Sequence, residues 1–337
     1  MARIALLTGG STPERDVALA GASQVAPVLR GLGHEVEVVD TVEGPLDEVG
    51  ETALLDPEVD REPPSDAKLR ELAAKENLPA LVAGPALRGF DLVFLVIHGG
   101  AVEGGLLQAL LELAGLRFTG SGSIGSILAM DKDVSKRLLR DAGIPTAQWL
   151  GLPFGAADLE ASGWGWPVIV KPANAGSSVG VRVVHGPGEL APAIAAAAAV
   201  DPEVLVERFL DGREFTVGVL GDRALGVGEI LPSHEIFDYE CKYTPGMTRE
   251  VFPAAIPEGL AMRLRELGLA THRALKLRDF SRVDFRLDRD GDPHVLEANT
   301  LPGMTRTSLL PQSAAVAGLD FGALCREICR LALERVR

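Results

Sequence analysis

A chain of 337 residues is longer than one hydrophobic core usually supports, so we expect two or three domains. Its hydrophobic fraction of 47% excludes an intrinsically disordered protein, and no apolar stretch is long enough to cross a bilayer. The formal charge of −14 disfavours nucleic-acid binding as a main role. The N-terminus lacks the pattern of a secretory signal, so we expect a cytoplasmic protein without a membrane partner.

The N-terminal part of the chain predicts an open α/β domain. Strands at 3–7 and 35–40, with a helix between them, give a β-α-β unit. Residues 43–89 are rich in proline, glycine and charge, which predicts a long surface connection with one short helix near 68–76. The nearly continuous apolar run 91–98 is typical of a strand buried on both faces.

The pattern changes after Trp149, where strands predominate. Helices are predicted near 105–114, 132–142, 189–199 and 260–275, and strands at 167–171, 181–184, 204–208, 213–220, 224–230, 281–287 and 294–299. The turn Asp290-Gly291 predicts that the last two strands form a hairpin. The three cysteines have no spacing typical of a metal site, and we interpret Cys325 and Cys329 as buried small hydrophobic residues.

The strongest chemical pattern is on that hairpin. Arg282 and Asp284 are two residues apart and share a strand face, as do Glu297 and Asn299 on the next strand. The hairpin brings these pairs together, and hard oxygen ligands of this kind suit Mg²⁺. The alternative is an exposed face with ordinary charges, but Glu297 lies in a largely apolar run.

Lys171 ends an apolar strand and is followed by a loop of small residues at 176–180. Backbone N–H groups and hydroxyls of such a loop can bind phosphate oxygens. The alternative is a simple glycine/serine turn between two strands. The loop is not a Walker motif, because no Gly-Lys-Ser/Thr unit precedes a helix.

Carboxylates stand at the ends of several predicted strands. Glu207 and Glu214 flank a turn and could accept hydrogen bonds from an adenine amino group or ribose hydroxyls; the alternative is a polar hairpin. His98, with Glu103 behind it, and Glu14 follow strands at the edge where open α/β sheets bind ligands. For His98 the alternative is a structural histidine.

Residues 233–247 show no clear periodicity and contain Tyr239, Lys242 and Tyr243. A long irregular segment is often a lid, and these side chains could cover a nucleotide and exclude water.

Taken together, the patterns resemble the D-alanine–D-alanine ligase family of the ATP-grasp superfamily. The matching stretches occur in family order over nearly the whole chain: Gly9-Gly10-Ser11 with Glu14-Arg15, His98-Gly99 with Glu103-Gly104, Met130-Asp131-Lys132, Val170-Lys171-Pro172 with Gly176-Ser177-Ser178-Val179-Gly180, Asp238-Tyr239-Glu240 with Lys242-Tyr243, Arg282-Val283-Asp284-Phe285, and Glu297-Ala298-Asn299 with Leu301-Pro302-Gly303-Met304-Thr305.

The resemblance implies an ATP-grasp fold of mixed α/β and α+β class, with an N-terminal α/β domain at 1–120 and two domains that clamp ATP, at 121–208 and 209–337. It implies ATP-dependent joining of two D-alanine molecules through an acyl phosphate, for peptidoglycan precursor synthesis, by a homodimer. Two Mg²⁺ ions, or Mn²⁺, would be bound by Asp284, Glu297 and Asn299.

The resemblance also implies roles for individual residues. The ATP site would comprise Lys132, Lys171, Ser178, Glu207, Arg208, Leu210, Glu214 and Lys242. The reacting groups would be bound by Glu14, His98, Ser177, Tyr243, Arg282 and Gly303, with Ser308 and Leu309 at the second D-alanine. Arg282 and the Gly303 amide would form an oxyanion hole.

The chain departs from the family pattern at two places. Gly104 follows Glu103 where the family usually has aspartate, and Phe237 stands where tyrosine is common. Tyr243 favours D-alanine as the second substrate. The alternatives are a ligase that makes D-alanyl-D-lactate, D-alanyl-D-serine or another dipeptide, and a small-molecule kinase, which would have no need of the pair Arg282 and Gly303.

Overall fold

The strands among the described residues form three separate sheets, of four, five and four strands. The structure is a computed structural model that describes residues 1–59, 63–154, 156–244 and 246–335, without the side chains of residues 156 and 243. Among these described residues, no helix is long and apolar enough to cross a membrane.

The first sheet is the predicted open α/β sheet. Its strands are β1 (Arg3–Thr8), β2 (Glu35–Asp40), β3 (Gly44–Pro45) and β4 (Leu92–Leu95), in the order β3-β2-β1-β4. β1 pairs in parallel with both β2 and β4, and helix α1 (Arg15–Gly31) connects β1 to β2. Parallel strands end at one edge of the sheet, so Glu14 and His98 both follow strands at that edge.

The helix predicted near 68–76 is confirmed, but the prediction that it is the single helix between residues 43 and 89 is wrong. This segment forms α2 (Glu48–Leu54), α3 (Asp66–Lys75), α4 (Leu78–Ala83) and a 3₁₀ turn. Leu78 and Val82 of α4 are buried in the hydrophobic core that packs against the first sheet, called the first core. The composition was misleading because polar residues and prolines stand at the helix starts. Asp47, Ser65 and Asn77, for example, each accept a capping hydrogen bond from a backbone N–H.

Four helices follow β4, which is shorter than the predicted strand 91–98. They are α5 (Gly100–Glu103), α6 (Leu106–Leu113), α7 (Ser123–Met130) and α8 (Lys132–Asp141). The short helices α5 and α7 were not predicted from the sequence. Asp131 separates α7 from α8 and caps α8, because its Oδ1 accepts a hydrogen bond from the Val134 N–H at 3.0 Å.

The second sheet is antiparallel, in the order β5-β8-β6-β7. Its strands are β5 (Trp149–Gly151), β6 (Val168–Pro172), β7 (Arg182–Val184) and β8 (Val204–Arg208), with α9 (Ala156–Ser162) and α10 (Pro187–Ala198) between them. The alanine-rich helix is the predicted one, and α9 was missed.

The third sheet is also antiparallel, in the order β11-β10-β9-β12-β13. It contains β9 (Glu214–Leu220), β10 (Arg223–Pro232), β11 (Thr248–Val251), β12 (Phe280–Leu287) and β13 (Pro293–Asn299), with α11 (Tyr239–Tyr243) and α12 (Glu258–Ala274) inserted. β8 and β9 belong to different sheets. The alternative of a polar hairpin at Glu207 and Glu214 is therefore wrong.

The last two helices are α13 (Leu309–Val316) and α14 (Phe321–Glu334). α14 packs against α1, and its Leu324 and Ile328 are buried in the core of the first sheet. Cys325 and Cys329 are buried free thiols in the same core, as predicted. The domain boundaries at residues 120 and 208 stay a prediction, but the end of the chain completes the first core.

Candidate active site

Every predicted site residue with a described side chain lines one of two adjoining cavities. The first, called the sheet cavity, lies between the second and third sheets and is lined by Lys132, Lys171, Ser178, Glu207, Arg208, Leu210, Glu214, Lys242, Asp284 and Glu297. The second, called the loop cavity, has a volume of about 700 Å³ and is lined by Glu14, His98, Ser177, Arg282, Asn299, Gly303, Ser308 and Leu309. Phe237 and Lys242 line both cavities.

A buried carboxylate at the end of β8 is held by two lysines. Glu207 Oε1 lies 2.7 Å from Lys171 Nζ and 3.1 Å from Lys136 Nζ. Burial alone would raise the pKa of Glu207, but the charges of Lys136 and Lys171 outweigh it and lower that pKa. Burial lowers the pKa of Lys136 to about 8. Glu207 therefore stays ionised inside the protein.

Lys132 connects the start of α8 to both antiparallel sheets. Its Nζ donates to the Ala175 carbonyl at 2.6 Å and lies 3.6 Å from Glu297 Oε2. Burial opposes ionisation of Glu297, but the charges of Lys132 and Lys242 lower its pKa to about 2. The sheet cavity thus contains an ionised carboxylate surrounded by cations.

The hairpin of β12 and β13 pairs Arg282 with Asn299 and Asp284 with Glu297. Asp284 Oδ1 accepts from the Thr216 hydroxyl at 2.7 Å, and Asp284 Oδ2 accepts from Asn299 Nδ2 at 3.0 Å. Arg282 forms an ion pair with Asp284 at 2.8 Å. Two carboxylates and an amide oxygen are a donor set that suits Mg²⁺.

Residues 176–180 form the predicted small-residue loop between β6 and β7, and they link distant parts of the chain. Ser177 and Ser178 have positive φ angles of 48° and 57°. The Ser177 hydroxyl donates to Glu14 Oε1. Ser178 Oγ donates to the Phe237 carbonyl at 3.0 Å and accepts from Lys242 Nζ at 3.1 Å. The loop therefore contacts both the first domain and the segment 233–247.

His98 and Glu103 hold the floor of the loop cavity. His98 Nδ1 bonds the Leu301 carbonyl at 2.8 Å, so Nδ1 carries the proton and Nε2 is an acceptor. Nε2 is buried and has no hydrogen-bond partner among the described residues, and burial lowers the pKa of His98. Glu103 accepts from the N–H groups of Gly99 and Leu301, while burial and Glu14 raise its pKa to about 7.

The turn between β13 and α13 completes the loop cavity. Ser308 Oγ accepts from the Thr305 N–H at 3.1 Å and bonds the Thr305 hydroxyl at 2.8 Å. A β-carbon at Gly303 would lie 2.8 Å from Ser308 Oγ, so glycine permits this close packing. Leu309 is buried at the start of α13.

In its described residues, the segment 233–247, called the lid, has more regular structure than its sequence predicts. It contains the five-residue helix α11, capped by Asp238, whose carboxylate accepts from the Cys241 N–H. Lys242 Nζ lies 5.3 Å from the Phe237 ring centre, and the Tyr239 hydroxyl donates to the Pro13 carbonyl at 3.4 Å. The prediction for Tyr243 falls on a side chain outside the described residues.

Two family models cover most of the chain. The model described as D-ala D-ala ligase N-terminus matches residues 3–121, and that described as D-ala D-ala ligase C-terminus matches residues 138–330. The chain belongs to the D-alanine–D-alanine ligase family. It is therefore a ligase with the ATP-grasp fold, as the resemblance implied.

Relatives of the D-alanine–D-alanine ligase family match over nearly their whole length. A D-alanine–D-alanine ligase of Nitratidesulfovibrio vulgaris is 41% identical, covering 98% of both chains, and one of Anaeromyxobacter sp. is 40% identical, covering 97% of this chain and 95% of the relative. The D-alanine–D-alanine ligase of Bacillus anthracis superposes with a TM-score of 0.76 at 30% identity, covering 99% and 98%. The VanG D-Ala:D-Ser ligase of Enterococcus faecalis gives 0.78 at 29%, covering 98% and 99%.

Some residues that shape this D-alanine–D-alanine ligase site were not predicted from the sequence. Lys136 was not predicted, although it lies four residues after Lys132 in α8 and so shares a helix face with it. Thr216, which donates to Asp284, is in β9 and could not be connected to β12 without the strand order.

Proposed function

We propose that this ligase joins two D-alanine molecules to D-alanyl-D-alanine, with conversion of ATP to ADP and phosphate through an acyl phosphate, for peptidoglycan precursor synthesis in the cytoplasm. The observation that carries the proposal is the division of the site. The residues proposed for ATP line the sheet cavity, those proposed for the reacting groups, apart from Tyr243, line the adjoining loop cavity, and Lys242 borders both.

ATP would lie in the sheet cavity between the two antiparallel sheets. Lys132, Lys171 and Lys242 supply positive charge for its phosphates, and Ser178 supplies a hydroxyl. The ionised Glu207 would accept a hydrogen bond from the adenine amino group, and Glu214 would bind the ribose. Arg208 and Leu210 would complete the nucleotide wall.

Two Mg²⁺ ions, or Mn²⁺, would be held by Asp284, Glu297 and Asn299. The fit rests on the donor set, three oxygen-bearing side chains on one hairpin face, with Glu297 ionised far below neutral pH. When bound, the metal would neutralise charge on the transferred phosphoryl group.

In the loop cavity, Glu14 would bind the ammonium of the first D-alanine, whose carboxylate attacks the γ-phosphorus and releases ADP. The amine of the second D-alanine then attacks the acyl phosphate, loses a proton and displaces phosphate. Arg282 and the Gly303 amide would stabilise the oxyanion, and such donors are typically worth about 3 to 4 kcal/mol.

The remaining side chains would orient the two amino acids and exclude water. Ser308 and Leu309 would bind the second D-alanine, and neutral His98 presents an acceptor, Nε2, in the same cavity. Ser177 would hold Glu14 and, with Tyr243, close the lid over the acyl phosphate, which water would otherwise hydrolyse.

The test is phosphate release from ATP and Mg²⁺ by the purified protein, with product mass measured alongside. We expect release and a D-alanyl-D-alanine mass with D-alanine, and neither with L-alanine. A phosphorylated product with neither free phosphate nor a dipeptide mass would instead indicate a kinase, and no phosphate release with D-alanine would overturn the proposal.

A second candidate is a mixed dipeptide, because the VanG D-Ala:D-Ser ligase superposes as well as the B. anthracis enzyme does. Incubation with equal D-alanine and D-serine, and in parallel with D-lactate, distinguishes the candidates. We expect D-alanyl-D-alanine to dominate. A dominant D-alanyl-D-serine or D-alanyl-D-lactate mass would show that D-serine or D-lactate is the second substrate, while the proposed ATP site would be unaffected.

We propose also that the protein acts as a homodimer, which rests on the family resemblance. Light scattering coupled to size-exclusion chromatography tests this directly. A mass of about twice the 35.5 kDa of the chain is expected, and a mass of one chain at working concentration would contradict it.

A further inference from the structure

Three side chains of different chemistry converge where the lid enters α11. The Nδ1 or Nε2 of His234, a carboxylate oxygen of Asp238 and the Sγ of Cys241 all lie within 4.8 Å of one another. His234 Nδ1 is 2.8 Å from Asp238 Oδ2. It is the one such group of three or more histidine, cysteine and acidic side chains in the described part of the chain.

We propose that His234, Asp238 and Cys241 form a binding site for a thiophilic divalent cation such as Zn²⁺ or Co²⁺. An imidazole, a carboxylate and a thiolate match the ligands that Zn²⁺ takes in proteins, whereas Mg²⁺ prefers oxygen alone. The donor set thus differs from that of Asp284, Glu297 and Asn299, and the two sites would select different metals.

The geometry needs a small adjustment to hold an ion. Bonds of about 2.0 to 2.3 Å in a tetrahedral site place ligand atoms roughly 3.3 to 3.8 Å apart, so the widest separation must shorten by about 1 Å. The His234 side chain is 39% exposed and can turn toward the buried Cys241. Water would take the fourth position, because three protein ligands leave one open.

The other two cysteines serve as an internal contrast. Cys325 and Cys329 are buried in the apolar core between α14 and the first sheet, and burial raises the pKa of both thiols to about 12. Burial and the Asp238 charge also raise the pKa of Cys241, but an imidazole and a carboxylate lie beside this thiol and can bind the same ion. A thiophilic ion should therefore choose Cys241.

Occupancy of this site would act on the lid. Cys241 is followed directly by Lys242, whose Nζ donates to Ser178 Oγ. Ser178 Oγ in turn donates to the carbonyl of Phe237, which lies between residues 234 and 241 in the sequence. An ion that ties residue 234 to residue 241 restricts the backbone that must move for ligands to enter or leave the two cavities. We therefore expect Zn²⁺ to inhibit turnover.

The binding test is titration of the full-length protein with Co²⁺ alone, followed by the thiolate-to-cobalt charge-transfer absorption. One equivalent should give the band, and His234→Gln and Cys241→Ser should each weaken Co²⁺ affinity at least about 100-fold, the upper range for loss of a supporting residue. His185→Gln is the matched control, because His185 is also exposed and bonds the lid carboxylate of Glu235 at 3.0 Å.

A normal charge-transfer band in His234→Gln, or no band in the unchanged protein, would overturn the site. Loss of the band in His185→Gln would also overturn it, because the ion would then lie elsewhere. Circular dichroism confirms that each variant is folded. The spectrum needs no substrate, so its outcome is independent of the proposed ligation.

Zinc inhibition tests the effect on the lid. With Mg²⁺-ATP and D-alanine held constant, His234→Gln should raise the Zn²⁺ concentration for half-inhibition at least about tenfold, and His185→Gln should leave it unchanged. Equal inhibition of all three proteins would contradict the inferred coupling between ion and lid.

Discussion

Lys136 lies behind the wall of the sheet cavity and contacts three other side chains. Its Nζ is 2.8 Å from the Thr146 hydroxyl, 3.1 Å from Glu207 Oε1 and 5.2 Å from the centre of the Trp149 ring. It does not line the cavity, so it can act on a nucleotide only through Glu207. We interpret Lys136 as a positioning residue that keeps Glu207 ionised.

We predict that Lys136→Met weakens ATP use and its selectivity for the base. Glu207 would retain Lys171 alone, its pKa would rise, and a protonated carboxyl could donate to a 6-oxo base that the carboxylate repels. The KM for ATP should rise at least about tenfold with a smaller change in kcat, and the preference for ATP over inosine triphosphate in kcat/KM should fall.

Lys75→Met is the matched control, because Lys75 pairs with Glu71 on the surface of α3. It should leave both parameters unchanged. Unchanged base preference in Lys136→Met, with the protein folded, would show that Lys171 alone maintains the charge of Glu207.

The raised pKa of Glu103 predicts a stability effect with a defined sign. Between pH 4.5, its ordinary pKa, and about pH 7, Glu103 holds a proton in the folded state and releases it on unfolding. Rising pH favours that release, so the free energy of unfolding falls through this window. Glu103→Gln should remove up to about 1.4 kcal/mol per pH unit of that slope. Urea unfolding at pH 5, 6 and 7 measures it.

Glu266→Gln, an exposed site on α12, is the control and should keep the slope of the unchanged protein. An identical slope in Glu103→Gln would mean that Glu103 is ionised throughout. Since glutamine keeps one acceptor for the Gly99 or Leu301 N–H, a uniform loss of stability is expected beside the change in slope.

Residues that share one strand or one hairpin were predictable from sequence. Arg282 and Asp284 share a strand face because side chains alternate along a strand with a period of two. The turn at Gly291 predicted the hairpin that pairs them with Asn299 and Glu297. The link from Glu103 to Leu301 spans almost two hundred residues. No local pattern encodes it, and it emerges only when the first and third sheets pack together.

At the scale of elements, a substitution in the turn between β13 and α13 tests how closely the residues around the loop cavity are packed. In Gly303→Ala the new methyl group would displace Ser308 Oγ from the Thr305 N–H. We predict a KM for the second D-alanine raised about tenfold, with the KM for ATP unchanged, measured by varying each substrate separately.

Gly259→Ala in α12 is the matched control, because a β-carbon there meets no atom within 4 Å. It should be neutral in both KM values and should stabilise the protein by up to about 1 kcal/mol. Equal effects of Gly303→Ala on both substrates would indicate a general disturbance of the site.

The elements that were predicted well have continuous apolar patterns. Seven of the nine described strands in the antiparallel sheets were placed within a few residues, because β-branched runs end at glycines and charges. The short strands β5 and β11 were not predicted. The short helices at 48–54, 123–130 and 156–162 failed because each has only about two turns, too few for a period to appear. Packing rather than propensity stabilises such helices.

At the scale of the whole molecule, Asp279 joins three regions. Its Oδ2 accepts from the Gly120 N–H at 2.8 Å and forms an ion pair with Arg335, while its carbonyl accepts from the Gly221 N–H at 2.7 Å. Its φ of 60° lies in the left-handed region, which aspartate and asparagine tolerate better than alanine.

We predict that Asp279→Ala lowers the free energy of unfolding by about 2 to 4 kcal/mol, since it removes a charged acceptor and adds backbone strain. Asp279→Asn, which keeps an acceptor and tolerates the positive φ, should lose about half as much. Urea denaturation measures both, and equal losses would show that the charge alone matters.

The packing of α14 has a consequence for biosynthesis. A ribosome completes β1, α1 and β4 long before α14 emerges, yet α14 covers α1 and buries Leu324 and Ile328 in the core that those elements begin. During synthesis, the N-terminal sheet therefore keeps an apolar face exposed until α14 has been made. Translation pauses before α14, and truncations that remove α14, would therefore harm the N-terminal α/β domain most, and we expect chaperones to be needed chiefly by that domain.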